Sequence, residues 1–256
     1  MKQIVNSIPV FSGDLVSAVD HLLDRLSDAG HLPCSCVSCT GAHGMVEASE
    51  NVAFSDVLRS FYLNLPDGMP LVWLAKLKGF TGAGRCYGPD VFATLLAKTA
   101  SMDASHFFCG GKPGVADELA LVATTTWVGT KVAGTHCPPF RSLDEQELME
   151  LADQINRSGA AVVWIGLSTP KQEVFAFRLA PLLKAKLIIT VGAAFDFYTG
   201  KVSQAPRWIQ RSGLEWLYRL LQEPRRLAPR YLKIVPKFAV MAIRSLLIDR
   251  SKKSLL

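Results

Sequence analysis

The 256-residue chain has no uninterrupted apolar run of about 18 residues, so no transmembrane helix is expected. Its first residues, MKQIVNSIPVFSGD, are broken by polar groups and Pro9, and they do not read as a signal peptide. The six cysteines therefore suit a reducing compartment and need not form a disulfide framework. Neither a Walker A loop nor GxGxxG is present, and no two aspartates stand in DxD spacing. Internal repeats and low-complexity segments are also missing. What remains is a chain that is 49% hydrophobic, enough for a substantial core and against wholesale disorder.

Charge is unevenly placed. Residues Arg207 to Leu256 hold twelve Lys or Arg against three acids, a net of +9, whereas the preceding 206 residues carry −3. A basic tail on a near-neutral body points to an anionic partner, with nucleic acid and anionic membrane both candidates. Val235, Phe238, Ala242 and Leu246 fall on one helical side of that tail, and Lys237 and Arg244 on another. Such a segment, Ile234 to Ile248, lies in a membrane interface or packs on the body or another subunit.

Apolar periodicity alternates between strand and helix. Strands are expected at Ile4–Phe11, Leu32–Thr40, Leu63–Gly68, His106–Cys109, Lys131–Thr135, from Ala161 and at Leu187–Val191. Helices are expected at Asp14–Ala29, Ala42–Ser60 (one or two), Met69–Lys78, Pro89–Ala100, Val115–Thr124 and Leu143–Asn156. Another should start at Pro170, its first position, capped by Ser168 or Thr169. The pattern predicts an α/β fold with a mainly parallel, Rossmann-like sheet covered by helices on both faces. Composition shifts near Ala205, dividing a 1–205 α/β catalytic domain from a 206–256 Arg-rich helical C-terminal appendage.

Candidate chemistry clusters where strands end. Asp67 follows an apolar segment in LPDG and suits a general base or a turn aspartate. Gly110-Gly111-Lys112-Pro113-Gly114 between strand and helix is a phosphate cradle or a plain turn. Thr169 and Gln172 offer hydrogen bonds to a sugar or uracil edge, and Glu173 suits helix-start electrostatics. Gly192 is expected where backbone comes close, with Asp196 just beyond. Arg219, Arg225, Arg226 and Arg230 supply permanent positive charge or a solvated basic face. Cys34, Cys36, Cys39 and His43 have spacings conceivable for zinc, but the segment alternates like a buried strand. A Cys39–His43 catalytic pair has no supporting motif.

GLSTPKQE, VGAAFDFYTG, APRWIQRSGLEW and YRLLQEPRRL, four ordered blocks, together resemble the WecG/TagA/CpsF glycosyltransferase family. LPDGMPLVW and GGKPGVADELA resemble it too, so the likeness covers most of the chain. Ser168 stands where the family usually has Gly, and Cys39 and Gly41 where it has Thr and Asn. The resemblance implies an inverting transferase moving a sugar from a UDP-sugar to a polyprenyl-diphosphate-linked saccharide in bacterial surface-polysaccharide assembly. The donor would be N-acetylmannosamine-like, a hexose or a uronic acid. Asp67 would be the catalytic base and Arg85 a substrate-binding residue. No cofactor or metal is expected, since no carboxylates cluster beside Asp196. The lipid-linked acceptor favours the membrane reading of the tail over nucleic acid and implies a cytoplasmic protein peripheral to the inner membrane face. Homo-oligomerisation is left open. Two other readings compete: a non-catalytic nucleic-acid-binding protein, and a family member that binds lipid-linked saccharide without turnover.

Overall fold

A computed structural model describes residues 2–30 and 32–253. The chain opens with a hairpin, β1 (Lys2–Val5) and β2 (Ile8–Phe11), paired antiparallel. Ile4–Phe11 is thus not one strand. Asn6 and Ser7 turn the chain with φ of 47° and 67°, the backbone of a two-residue hairpin loop. Without glycine, that turn leaves little mark on the sequence.

Six further strands form one parallel sheet: β3 (Ser35–Thr40), β4 (Leu63–Pro66), β5 (Ser105–Gly110), β6 (Lys131–His136), β7 (Val162–Gly166) and β8 (Leu187–Thr190). Their spatial order is β4-β3-β8-β7-β5-β6, with every neighbouring pair parallel. Strands β7 and β8 are buried along their whole length, which explains their continuous apolar sequences.

The helices of the body are α1 (Leu15–Ser27), α2 (Ala42–Glu50), α3 (Val52–Ser60), α4 (Met69–Leu77), α5 (Gly88–Thr99), α6 (Val115–Thr126), α7 (Glu145–Ser158), α8 (Lys171–Leu179) and α9 (Ala194–Tyr198). Local chemistry sets their ends. Asp14 and Asp144 each accept a backbone N–H at 2.9 Å in reciprocal capping boxes, and Gly159 closes α7 with φ 69°. Pro170 is the N-cap of α8 and not its first helical residue.

One core joins α2, α3, α4, α7 and α8 to the sheet; the other joins α1, α5, α6 and α9 to the opposite face. The second core is aromatic around Phe92, whose ring centroid is 4.8 Å from that of Trp164. Trp164 is fully buried because its indole N–H donates to His106 Nδ1 at 3.0 Å, while Thr99 pairs with His106 Nε2. Burial pushes the His106 pKa down to about 4. Chains leaving β3 and β7 pass to the first face, and those leaving β5 and β8 to the second. That divergence opens crevices at the carboxyl ends of the strands.

The appendage comprises α10 (Arg207–Ser212), α11 (Glu215–Gln222) and the 30-residue α12 (Pro224–Lys253). Ile234, Phe238 and Met241 of α12 enter the first core, with Ala242 and Leu246 packed beside them. Lys233 and Lys237 both bridge to Glu50 of α2. The tail face expected to meet a membrane through Phe238, Ala242 and Leu246 is therefore a core face. Val235 falls between Ala242 and Leu246 on the helical wheel yet is exposed, as are Leu232, Val240, Ile243 and Leu247. At 100° per residue the last four form a second apolar stripe on the far side of the helix. The side chain of Ile248 lies outside the described residues.

Candidate active site

Asp67 stands one residue beyond β4. Its backbone N–H donates to the Thr40 carbonyl at 3.0 Å, so the β3–β4 ladder runs on to its foot. Gly68 and Pro70 then begin α4. The carboxylate Oδ1 accepts the Gly88 N–H at 2.7 Å, at the start of α5. A Cβ at Gly41 would lie 3.9 Å from Oδ2. Burial pushes the Asp67 pKa up to about 6, against opposing effects of Arg85, the Gly88 hydrogen bond and Arg219; Glu215 adds to the rise.

Arg85 joins this carboxylate to the appendage. Its Nε donates to the backbone carbonyl of Asp67 at 2.5 Å, and its Nη2 to Glu215 Oε2 at 2.5 Å. The guanidinium lies 3.9 Å from the Tyr87 ring centroid, and the Tyr87 hydroxyl donates to Glu215 Oε1 at 2.6 Å. The loop that carries Arg85 is anchored from both sides, by Gly84 N–H to Gly13 and Cys86 N–H to Pro66. Arg219, one helical turn after Glu215, sits 5.6 Å from the Phe197 ring centroid. Its Nε is buried without a hydrogen-bond partner among the described residues. An orphaned guanidinium N–H beside a partly buried carboxylate is a feature an anionic ligand would satisfy.

A second polar cluster occupies the tips of β7 and β8. Gln172 is buried with its amide engaged: Nε2 donates to Thr169 Oγ1 and Glu173 Oε1, and Oε1 accepts the Gly192 N–H at 3.1 Å. It ties the turn after β7 to the turn after β8. Gly192 is left-handed, φ 57°, with open space where a Cβ would point. Backbone conformation, not close approach, requires glycine there. Glu173 is not a solvated helix-start acid. It is fully buried, with Ser38, Thr169 and Gln172 all donating to Oε1, and burial raises its pKa.

Gly110 and Gly111 close β5 at φ 145° and 76°. A Cβ on Gly110 would meet the Gly166 carbonyl oxygen at 2.5 Å, and the Gly111 N–H already donates to that oxygen. Both glycines thus serve the β5–β7 contact. Four strand spacings separate β5 from β4, about 19 Å along the row of tips. Asp196 lies in the first turn of α9. Arg230 lies on α12 and helps depress the pKa of His43 on α2, after the larger effect of burial. Arg226 is on α12 as well, but its side chain lies outside the described residues.

The expected residues therefore fall into separate groups: Asp67, Arg85 and Arg219; Thr169, Gln172 and Gly192; and the Gly110 loop. Sequence reasoning missed Glu215 and Tyr87. The signal available was the isolation of Glu215, one of three acids in the basic tail. All six cysteines are free, and the described residues contain no group of three side chains able to hold a metal. Burial raises the Cys39 thiol well above its ordinary range, which removes the thiolate a Cys39–His43 pair would need.

A two-sided parallel sheet with a partly buried carboxylate and guanidinium groups at its strand tips is an α/β arrangement suited to an anionic ligand. The sequence model of the Glycosyl transferase WecG/TagA/CpsF family matches residues 3–252, and the chain belongs to that family. It is a glycosyltransferase of surface-polysaccharide synthesis, and membership implies a nucleotide-sugar donor and a lipid-linked acceptor in general. No helix among the described residues is long and apolar enough to cross a membrane.

Proposed function

We propose that the chain is a metal-independent, inverting glycosyltransferase that moves a sugar from a UDP-sugar to a hydroxyl of a polyprenyl-diphosphate-linked saccharide. Asp67 is the general base. The observation that carries this is a partly buried carboxylate with a pKa of about 6, beside Arg85 and the Nε of Arg219, which has no hydrogen-bond partner among the described residues. A base titrating there is ionised at neutral pH yet strong enough to accept a hydroxyl proton as attack begins. The acceptor oxygen bonds to the anomeric carbon as the bond to the diphosphate oxygen breaks, and the proton passes to Asp67. UDP leaves with its charge met by Arg85 and Arg219, and by Arg226 and Arg230 as the appendage closes. Thr169, Gln172 and Gly192 shape the adjoining strand tips. Asp196 and the Gly110–Gly111 turn lie further toward the donor.

The exposed stripe of α12 docks on the cytoplasmic face of an anionic membrane, with Trp208 on α10 69% exposed nearby in sequence. A groove of about 260 Å³ between α11 and α12, lined by Trp216, Leu220, Tyr231 and Val235, continues this apolar surface. The test is a panel of UDP-N-acetylmannosamine, UDP-hexoses and UDP-uronic acids with a lipid-linked acceptor in anionic vesicles, read by product mass. One donor should add one sugar, with or without EDTA. A chain that binds vesicles and UDP yet adds no sugar from any donor would contradict catalysis.

A further inference from the structure

Glu215 is the acid of the appendage that reaches the site, and transfer as described above gives it no task. Its carboxylate is buried and both oxygens are occupied, one by Arg85 Nη2 and the other by the Tyr87 hydroxyl. Arg85 is held at two edges, by the Asp67 backbone carbonyl and by Glu215, with the Tyr87 ring behind it. Because a guanidinium is planar and rigid, two such bonds fix its plane. Neither goes to the Asp67 side chain, although that carboxylate belongs to the residue whose carbonyl Arg85 holds.

We propose that Glu215 is a positioning residue for transfer, resting on the reading of Asp67 as base: it draws the free edge of Arg85 away from the Asp67 carboxylate. An appendage that closes with Glu215 in place leaves the base uncaptured. One that closes without it leaves a guanidinium whose remaining carboxylate neighbours are Asp67, the stronger influence on it, and Asp90. The charged and titratable groups facing Asp67 are Arg85, Cys86 and Tyr87 from the loop before α5, Cys39 from β3, and Glu215 and Arg219 from α11. Burial keeps the thiols and the phenol protonated, so Glu215 is the one anion of this set. Its loss acts in one direction, since direct charge and the freed Arg85 both stabilise ionised Asp67.

The experiment is a carbon-13 NMR titration of side-chain carboxyls in the full chain, with the Asp67 signal assigned by its disappearance in Asp67→Asn. Glu215→Gln should move the Asp67 midpoint down by about one pH unit, within the range a newly paired guanidinium produces. Tyr87→Phe keeps the charge and the Arg85 bridge and should leave the midpoint in place. An unchanged or raised midpoint in Glu215→Gln overturns the proposal, as does an equal shift in Tyr87→Phe. If Glu215→Gln loses the chemical-shift dispersion of a folded chain, Glu215→Asp replaces it, with the charge withdrawn by one methylene. A downward shift there supports the proposal and none overturns it. Turnover is scored separately: sugar transfer with no midpoint shift removes Glu215 alone, whereas a shift without transfer from any donor counts against Asp67 as base.

Discussion

Asp67, partly buried, and Glu173, fully buried, are carboxylates at the carboxyl ends of the same sheet, and desolvation raises the pKa of both. Their surroundings differ in kind. Glu173 is met by neutral donors from Ser38, Thr169 and Gln172, all converging on one oxygen. Asp67 is met by a backbone N–H and by the fields of Arg85 and Arg219, with Glu215 opposing them. Desolvation met only by neutral donors makes a structural acid of raised pKa. Desolvation balanced against guanidinium charge makes one that exchanges a proton near neutral pH.

The largest expected effect breaks the functional member of the pair. Asp67→Asn should lower turnover by about 10²-fold or more, the scale for losing a general base. The same variant should melt higher than wild type at pH 8. An aspartate whose folded pKa is raised from 3.8 to about 6 contributes stability that is fully present below the lower value and lost as pH rises through the higher one. The cost at pH 8 is on the order of 2–3 kcal/mol, and the thermal advantage of Asn should vanish near pH 4.

Next in size is the bridge to the appendage. Arg85→Ala leaves Glu215 buried without its counter-charge, held only by the Tyr87 hydroxyl, and should lower unfolding free energy by about 3 kcal/mol in a urea titration. A loss below about 1 kcal/mol would mean that the appendage is not held through this pair.

The structural member sharpens the contrast. Glu173→Gln keeps an accepting oxygen and removes a carboxyl group whose pKa burial raises and which touches no charged partner among its hydrogen bonds, so turnover should stay within about threefold of wild type. A hundredfold loss would make Glu173, not Asp67, the proton acceptor. The smallest expected effect is that of EDTA, which should leave turnover unchanged; loss restored by Mg²⁺ or Mn²⁺ would turn attention to Asp196.

The sheet was legible because its strands read as short apolar runs between helical segments, some of which carry side-chain caps, as at Asp14, Asn51 and Asp144. Asp67 and Arg85 were singled out through their motifs, and the structure brings the two together. The Asn6–Ser7 hairpin was not, because no glycine marks its left-handed turn. Nor could periodicity say which stripe of α12 faces inward, since both sides of that helix are apolar and only packing on α2 selects Phe238 over Ile243. Gln172 read as a ligand-binding side chain; its amide bonds Thr169 and Glu173 beside it and Gly192 twenty residues on, a tie between two strand ends that no local pattern shows. Glu215 was hidden for the same reason, since its partner lies 130 residues away. Gly41 leaves space beside Asp67 Oδ2 that a longer side chain would fill.

The central claim is that Asp67 takes the acceptor proton. Its most direct test is the pH dependence of kcat/KM for sugar transfer, wild type against Asp67→Asn. Wild-type activity should rise with a midpoint near pH 6, the titration of Asp67, and the residual activity of Asp67→Asn should lack that rise. An acid limb that survives unchanged in Asp67→Asn would contradict the account and place the base elsewhere.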